Sequence, residues 1–166
     1  MFRYGEKNNA TFALPKQSAA HVFNYNVKFS NTMVRPSPTG KYNILCNHLH
    51  FHEPGVRQVM PPDTKYIAIV RHPIDLFESI MSYYSNDVRA FQRVPGNNIQ
   101  SRMKNFLDHP LKYYGFDSSH YERFAKNAMM WDFGFDNDVD DDDAIDEWIQ
   151  YLDKTFDLGL GWNFFK

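Results

Sequence analysis

Five consecutive apolar residues, Tyr66-Ile67-Ala68-Ile69-Val70, run directly into Arg71-His72-Pro73. A short, continuous, β-branched run of this kind reads as a strand buried on both faces of a parallel sheet. Pro73 suits the first turn of a helix, where a missing N–H costs nothing. Ile74, Phe77, Met81 and Tyr84 then recur at helical spacing. The segment is thus expected to form strand, turn and helix, half of a βαβ unit. In open α/β sheets ligands bind outside the carboxyl ends of the strands, which is where Arg71 stands.

The rest of the chain fits the same class. Apolar spacing predicts helices over 1–9, 99–107, 119–131 and 143–154, the last with acidic residues at its start and Lys154 near its end, as the helix dipole favours. Tyr42-Asn43-Ile44-Leu45-Cys46 reads as a short strand. Pro36, Pro38 and Gly40 mark a loop, and Pro61-Pro62-Asp63 a turn. Strands separated by helices imply an α/β fold. The 166 residues suit one domain over 1–166, and 43% hydrophobic residues with 17% aromatics suffice for a core. A net charge of −2 argues against a dedicated nucleic-acid binder. No apolar stretch is long enough to span a membrane. Cys46, the sole cysteine, reads as a small buried hydrophobe rather than a nucleophile.

Arg71 presents a fork of donors suited to a phosphate, and Ser79, about two helical turns on, can add a hydroxyl. The competing reading pairs Arg71 with Asp75 or Glu78 and turns Ser79 toward a neighbouring helix. By spacing alone the two weigh equally. His48-x-His50-x-His52 would share one strand face, but lacks a carboxylate or cysteine partner at ligand spacing, so no metal is expected. Asp136, Asp138, Asp140, Asp142 and Glu147 partly match a calcium loop, yet Asp141 occupies the place of the required glycine. A solvated acidic loop capping the 143–154 helix is the expectation. Tyr83, Tyr84, Tyr113, Tyr114 and Trp131 read as core aromatics. Asn9-Ala10-Thr11 is a glycosylation sequon, a weak signal by itself.

Val70 to Ser79, VRHPIDLFES, resembles the 3′-phosphate-binding motif of sulfotransferases that use PAPS (3′-phosphoadenosine 5′-phosphosulfate). Thr11–Pro15, Tyr42–His48, Met60–Tyr66 and Trp131–Asp136 match as well, in order. With the motif they resemble, more narrowly, the galactose 3-O-sulfotransferase family, which includes galactosylceramide sulfotransferase. His72 departs from that pattern, where the family usually has Asp, and so does His50, where it more often has Arg.

The resemblance implies a P-loop-like sulfotransferase fold, with a mainly parallel sheet flanked by helices. It implies that Arg71 and Ser79 bind the donor's 3′-phosphate. It also makes His48 the catalytic base, although the residues alone read His48 as a buried, hydrogen-bonded histidine. The implied acceptor is a galactose-terminated glycolipid or glycan, and the implied setting is the lumenal side of the Golgi membrane, reached through a segment absent from this chain. Such enzymes also hold the 5′-phosphosulfate in a lysine-containing glycine and serine turn. No such turn occurs here; Pro38-Thr39-Gly40-Lys41 precedes a strand and lies in the wrong place. The fold is therefore expected to be incomplete at both ends, beginning just after that loop and breaking off near Thr155–Leu158. A chain lacking a central strand is expected to fold poorly and to lack turnover. The competing reading is a non-catalytic remnant that keeps only a 3′-phosphonucleotide half-site. A P-loop kinase relative is disfavoured by the absent Gly-Lys-Ser/Thr.

Overall fold

The computed structural model describes residues 1–17, 22–115, 121–137, 139 and 141–156. The elements run α1 (Phe2–Lys7), a 3₁₀ turn (Asn31–Met33), α2 (Glu53–Arg57), α3 (Pro73–Tyr83), α4 (Arg89–Gln92), α5 (Ile99–Asp108) and α6 (Pro110–Tyr113). A second 3₁₀ turn (Glu122–Ala125), α7 (Ala128–Asp132) and α8 (Asp142–Phe156) follow. Contacts divide the chain into two compact units. One comprises Met1–Ile67, Trp131–Phe135 and Asp146–Lys166, the other Ala68–Met130 and Asp136–Ile145.

The expected parallel sheet is not formed among the described residues. Backbone pairing is limited to three isolated bridges: Phe12 with Ile44 and Val22 with His48, both parallel, and Pro15 with Val34, antiparallel. The Tyr42–Cys46 strand therefore shrinks to its bridge at Ile44. The Tyr66–Val70 strand is absent, although its exposure alternates residue by residue. Ile67 and Ile69 are 82% and 94% exposed, where burial on both faces was expected. The reason is physical: an apolar run favours burial, but a strand needs a neighbour's N–H and C=O groups along its edge. No described segment supplies them to residues 66–70.

The first unit is organised around the ribbon 42–52. The Asn43 and Ile44 amides donate to the Thr11 carbonyl (2.8 and 3.2 Å), the Ala13 amide to the Ile44 carbonyl (2.8 Å), and the Phe23 amide to the His48 carbonyl (2.9 Å). Beneath lie buried Ala13, Phe23, Phe29, Val34, Val56 and Met60. Tyr66 meets Phe51 edge to face at 5.7 Å. Burial pushes its phenol above the ordinary tyrosine range. Residues Trp131–Phe135 form a strap over the ribbon: Trp131 stacks on His50 at 4.1 Å, and the Asp132 carbonyl accepts from the Phe51 amide (3.2 Å). The Asp132 carboxylate accepts from the Tyr25 hydroxyl. Gly134 completes the strap at φ 90°, with no room for a Cβ against the Phe51 carbonyl. Trp148 and Leu152 of α8 are buried, and Phe135 packs edge-on against Trp148 and Tyr151. Helix α8 runs through Thr155 and Phe156, where the fold was expected to break off; residues 157–158 of that expectation lie outside the described residues.

The second unit is an aromatic helical cluster. Met81, Val88, Ala90, Phe91, Val94, Phe106, Tyr113 and Ala125 are its buried residues. Phe77 meets Phe91 and Phe106 at 5.8 and 5.4 Å. Ile74, expected inside, is exposed, and Ile80 packs against the core instead. Helix α4 is held at both ends by distant side chains. Buried Glu122 accepts from the Ala90 amide (3.1 Å), and Arg102 donates to the Phe91 carbonyl (2.6 Å). Helix α5 carries a reciprocal capping box between Asn98 and Ser101.

The expected helix 119–131 is broken. Its first two residues, 119 and 120, lie outside the described residues. The remainder forms the 3₁₀ turn Glu122–Ala125, then Lys126 in extended conformation and Asn127 at φ 47°, and only then α7. The buried Asn137 amide donates to the Arg123 and Lys126 carbonyls (3.3 and 2.9 Å). A side chain thus takes the carbonyls that a continuing helix would have used.

Two outcomes test this packing. Phe91→Ala, at a fully buried position, is expected to destabilise the second unit by about 3–5 kcal/mol in urea titration. Gly134→Ala is expected to cost at least about 1–2 kcal/mol, from its left-handed backbone alone, read by tryptophan fluorescence during denaturation.

Candidate functional site

Helix α3 begins as expected, with Pro73 in its first turn and the Leu76 amide donating to the His72 carbonyl (2.9 Å). Its rotation is set by the aromatic core. With Phe77, Ile80, Met81 and Tyr84 packed inward, residues 75, 78, 79, 82 and 83 are left on the opposite side. There they form one wall of an open cleft of about 580 Å³, lined by Arg71, Asp75, Glu78, Ser79, Ser82, Tyr83 and Ile99. Arg71 and Ser79, paired on spacing in the sequence, thus line a single cavity.

The ion pair of the competing reading, Arg71 with Asp75 or Glu78, is not made among the described residues. The ion pairs Arg57 with Glu53 (2.5 Å) and Lys104 with Asp108 (2.6 Å) lie elsewhere in the chain. Arg71 is exposed and lines the same cleft as Ser79. Glu78 instead accepts a long hydrogen bond from Gln100 (3.4 Å). Such a cleft can hold an oxyanion through a charged fork and a hydroxyl. Its two carboxylates, acceptors only, suit a ligand that also carries hydroxyl or amino donors.

His48 belongs to the other unit. Its backbone is fixed by the Val22 bridge and by the Phe23 amide, while its side chain is exposed. The buried, hydrogen-bonded histidine expected from the residues alone is therefore not His48. The two properties are split between its neighbours: His50 is buried at 4% exposure beneath Trp131, and the half-buried His52 ring donates to the Phe29 carbonyl (3.1 Å). The three histidines do not share one environment, because the ribbon is not a regular strand. Cys46, expected to be buried, is exposed for the same reason. Asn9 is exposed just beyond α1, at φ 52°.

Residues 60–66 and 131–136 matched the sequence pattern without carrying evident chemistry. In the structure Met60, Tyr66 and the Trp131–Phe135 strap hold the ribbon that ends at His48 and His50. Sequence reasoning also left Tyr83 among core aromatics, yet it is 78% exposed in the cleft. Its place one helical turn after Ser79 was the available signal. No helix among the described residues is long and apolar enough to cross a membrane.

Comparison with known proteins agrees with the motif pattern. The family model described as Galactose-3-O-sulfotransferase matches residues 1–166. Galactose-3-O-sulfotransferase 3 of Bos taurus is 37% identical over 161 residues, covering 95% of this chain and 36% of the relative. Galactose-3-O-sulfotransferase 2 of Mus musculus is 36% identical over 166 residues, 96% of this chain and 40% of the relative. Galactosylceramide sulfotransferase of Bos taurus is 31% identical over 163 residues, 96% and 37% respectively. The chain thus spans well under half the length of these relatives. No solved structure matches it. With a family model matching end to end, and relatives of two kinds agreeing over nearly all its residues, this chain belongs to the galactose-3-O-sulfotransferase family.

Proposed function

We propose that this chain is part of a carbohydrate sulfotransferase that moves a sulfuryl group from PAPS to the 3-hydroxyl of galactose on a glycolipid or glycan. The observation that carries the reading is that Arg71 and Ser79 line one cleft, on the motif through which the chain resembles PAPS-dependent enzymes. Arg71 supplies the fork and Ser79 the hydroxyl for the donor's 3′-phosphate. Asp75 and Glu78 are acceptors suited to the sugar and base donors of a nucleotide, which a bare anion lacks.

His48 acts as general base. Its exposed imidazole takes the proton of the galactose 3-hydroxyl as that oxygen bonds to sulfur, and adenosine 3′,5′-bisphosphate departs with the electrons of the broken S–O bond. The donor contributes an activated sulfuryl group; the chain's own residues bind, orient and accept the proton. In the whole protein Tyr66–Val70 is a strand of a mainly parallel sheet, and residues 1–166 form a single partial domain. The alternating exposure of the run supports the first reading. The setting is the lumenal side of the Golgi membrane, where the exposed Asn9 sequon is open to glycosylation.

Two measurements test this. Calorimetric titration of the chain with adenosine 3′,5′-bisphosphate is expected to show binding that Arg71→Ala weakens by at least about tenfold, as loss of a charge-assisted pair requires; unchanged affinity in that variant refutes the donor site. In a longer protein that carries this segment and transfers sulfate, His48→Ala is expected to lower kcat by about 10²–10⁴-fold with donor affinity unchanged. Full activity in that variant removes His48 from the mechanism.

A further inference from the structure

The cleft differs from one end to the other. Arg71 lines it just before α3, Asp75 and Ser79 line it along the helix, Tyr83 is the helix's last residue, and the lining also includes an apolar side chain, Ile99, at the start of α5. Tyr83 is the large aromatic of this cavity and is 78% exposed. It is also held in place. Its ring meets Tyr84 edge-on at 4.8 Å and 76°, and Tyr84 stacks on Phe124 at 4.5 Å and 12°. Tyr84 and Phe124 pack against the buried core of the same unit. An exposed ring braced through two aromatics on a core offers a face to a ligand with little ordering left to occur on binding.

Ser79 and Tyr83 are four residues apart, so their Cα atoms stand about 6 Å apart along one face of the helix. A 3′-phosphorylated nucleotide anchored at Arg71 and Ser79 has its base one sugar away, a span of the same order. We infer that Tyr83 is the base-stacking surface of this cleft and, with Ile99, receives the planar ring of the nucleotide whose 3′-phosphate Arg71 and Ser79 hold. The inference rests on the donor-site reading above and adds a residue that sets its preference for a nucleotide over a simple sugar phosphate.

The test compares two probes, adenosine 3′,5′-bisphosphate and the base-free ribose 3,5-bisphosphate, titrated into the full chain. Tyr83→Ala is expected to weaken the adenosine probe by about tenfold, the usual scale of a lost base–aromatic stack. It is expected to leave ribose 3,5-bisphosphate within about twofold, while Tyr83→Phe, which keeps the ring face, binds both as the unaltered chain does. Arg71→Ala weakens both probes. If Tyr83→Ala changes neither probe, or weakens both equally, the stacking role is overturned while the Arg71 result still reports on the phosphate site. If the unaltered chain binds neither probe, the donor-site reading fails and this one fails with it.

Discussion

The packing of Phe77 between Phe91 and Phe106 is the contact on which the candidate site depends. A helix has one rotation about its axis, and α3 takes the one that buries Phe77 and Met81. Everything on the opposite side follows from that choice: Asp75, Ser79, Ser82 and Tyr83 line the cleft because they cannot also face the core. The neighbours that fix Phe77 are themselves fixed. Helix α4, only four residues long, carries Phe91 and is far too short to persist alone. Glu122 and Arg102 hold its two ends from elsewhere in the sequence. A polar bond at each end of a short helix therefore reaches, through one phenylalanine, to the geometry of a binding wall.

The first unit works on a different principle. Its ribbon 42–52 has few regular backbone pairs, so side chains and isolated bridges carry its shape. The segments that match the family converge on it: Thr11 and Ala13 along one edge, Tyr66 against Phe51, and the Trp131–Phe135 strap on His50 and Phe51. A shared sequence pattern that first looked like scattered likeness is therefore one packing arrangement. Its effect is to fix the backbone of His48 while leaving the residue exposed.

Where sequence reading and structure part, the cause is a partner distant in sequence. Residues 119–131 have helical periodicity, but Asn137 takes the Arg123 and Lys126 carbonyls and divides the segment. Residues 66–70 have the composition of a buried strand, yet no described segment pairs with them, and Ile67 and Ile69 face solvent. Cys46 and His48 were expected inside from residue type and lie outside, on a ribbon that is not a regular strand. In each instance local preference was read correctly and a long-range hydrogen bond, or the lack of one, decided the outcome.

The sequence by itself determined the family, through motifs whose order and spacing survive in a linear reading. It also determined helix α3, because Pro73 and the spacing of Phe77, Met81 and Tyr84 are local signals. It named Arg71 and Ser79 as a pair but left them balanced against an ion pair within the helix. Only the tertiary structure placed both on one cleft, and only it moved Tyr83 from the core to the cavity wall. The physical reason is that periodicity tells which residues share a helix face, while the choice of which face is buried belongs to the residues packed against it.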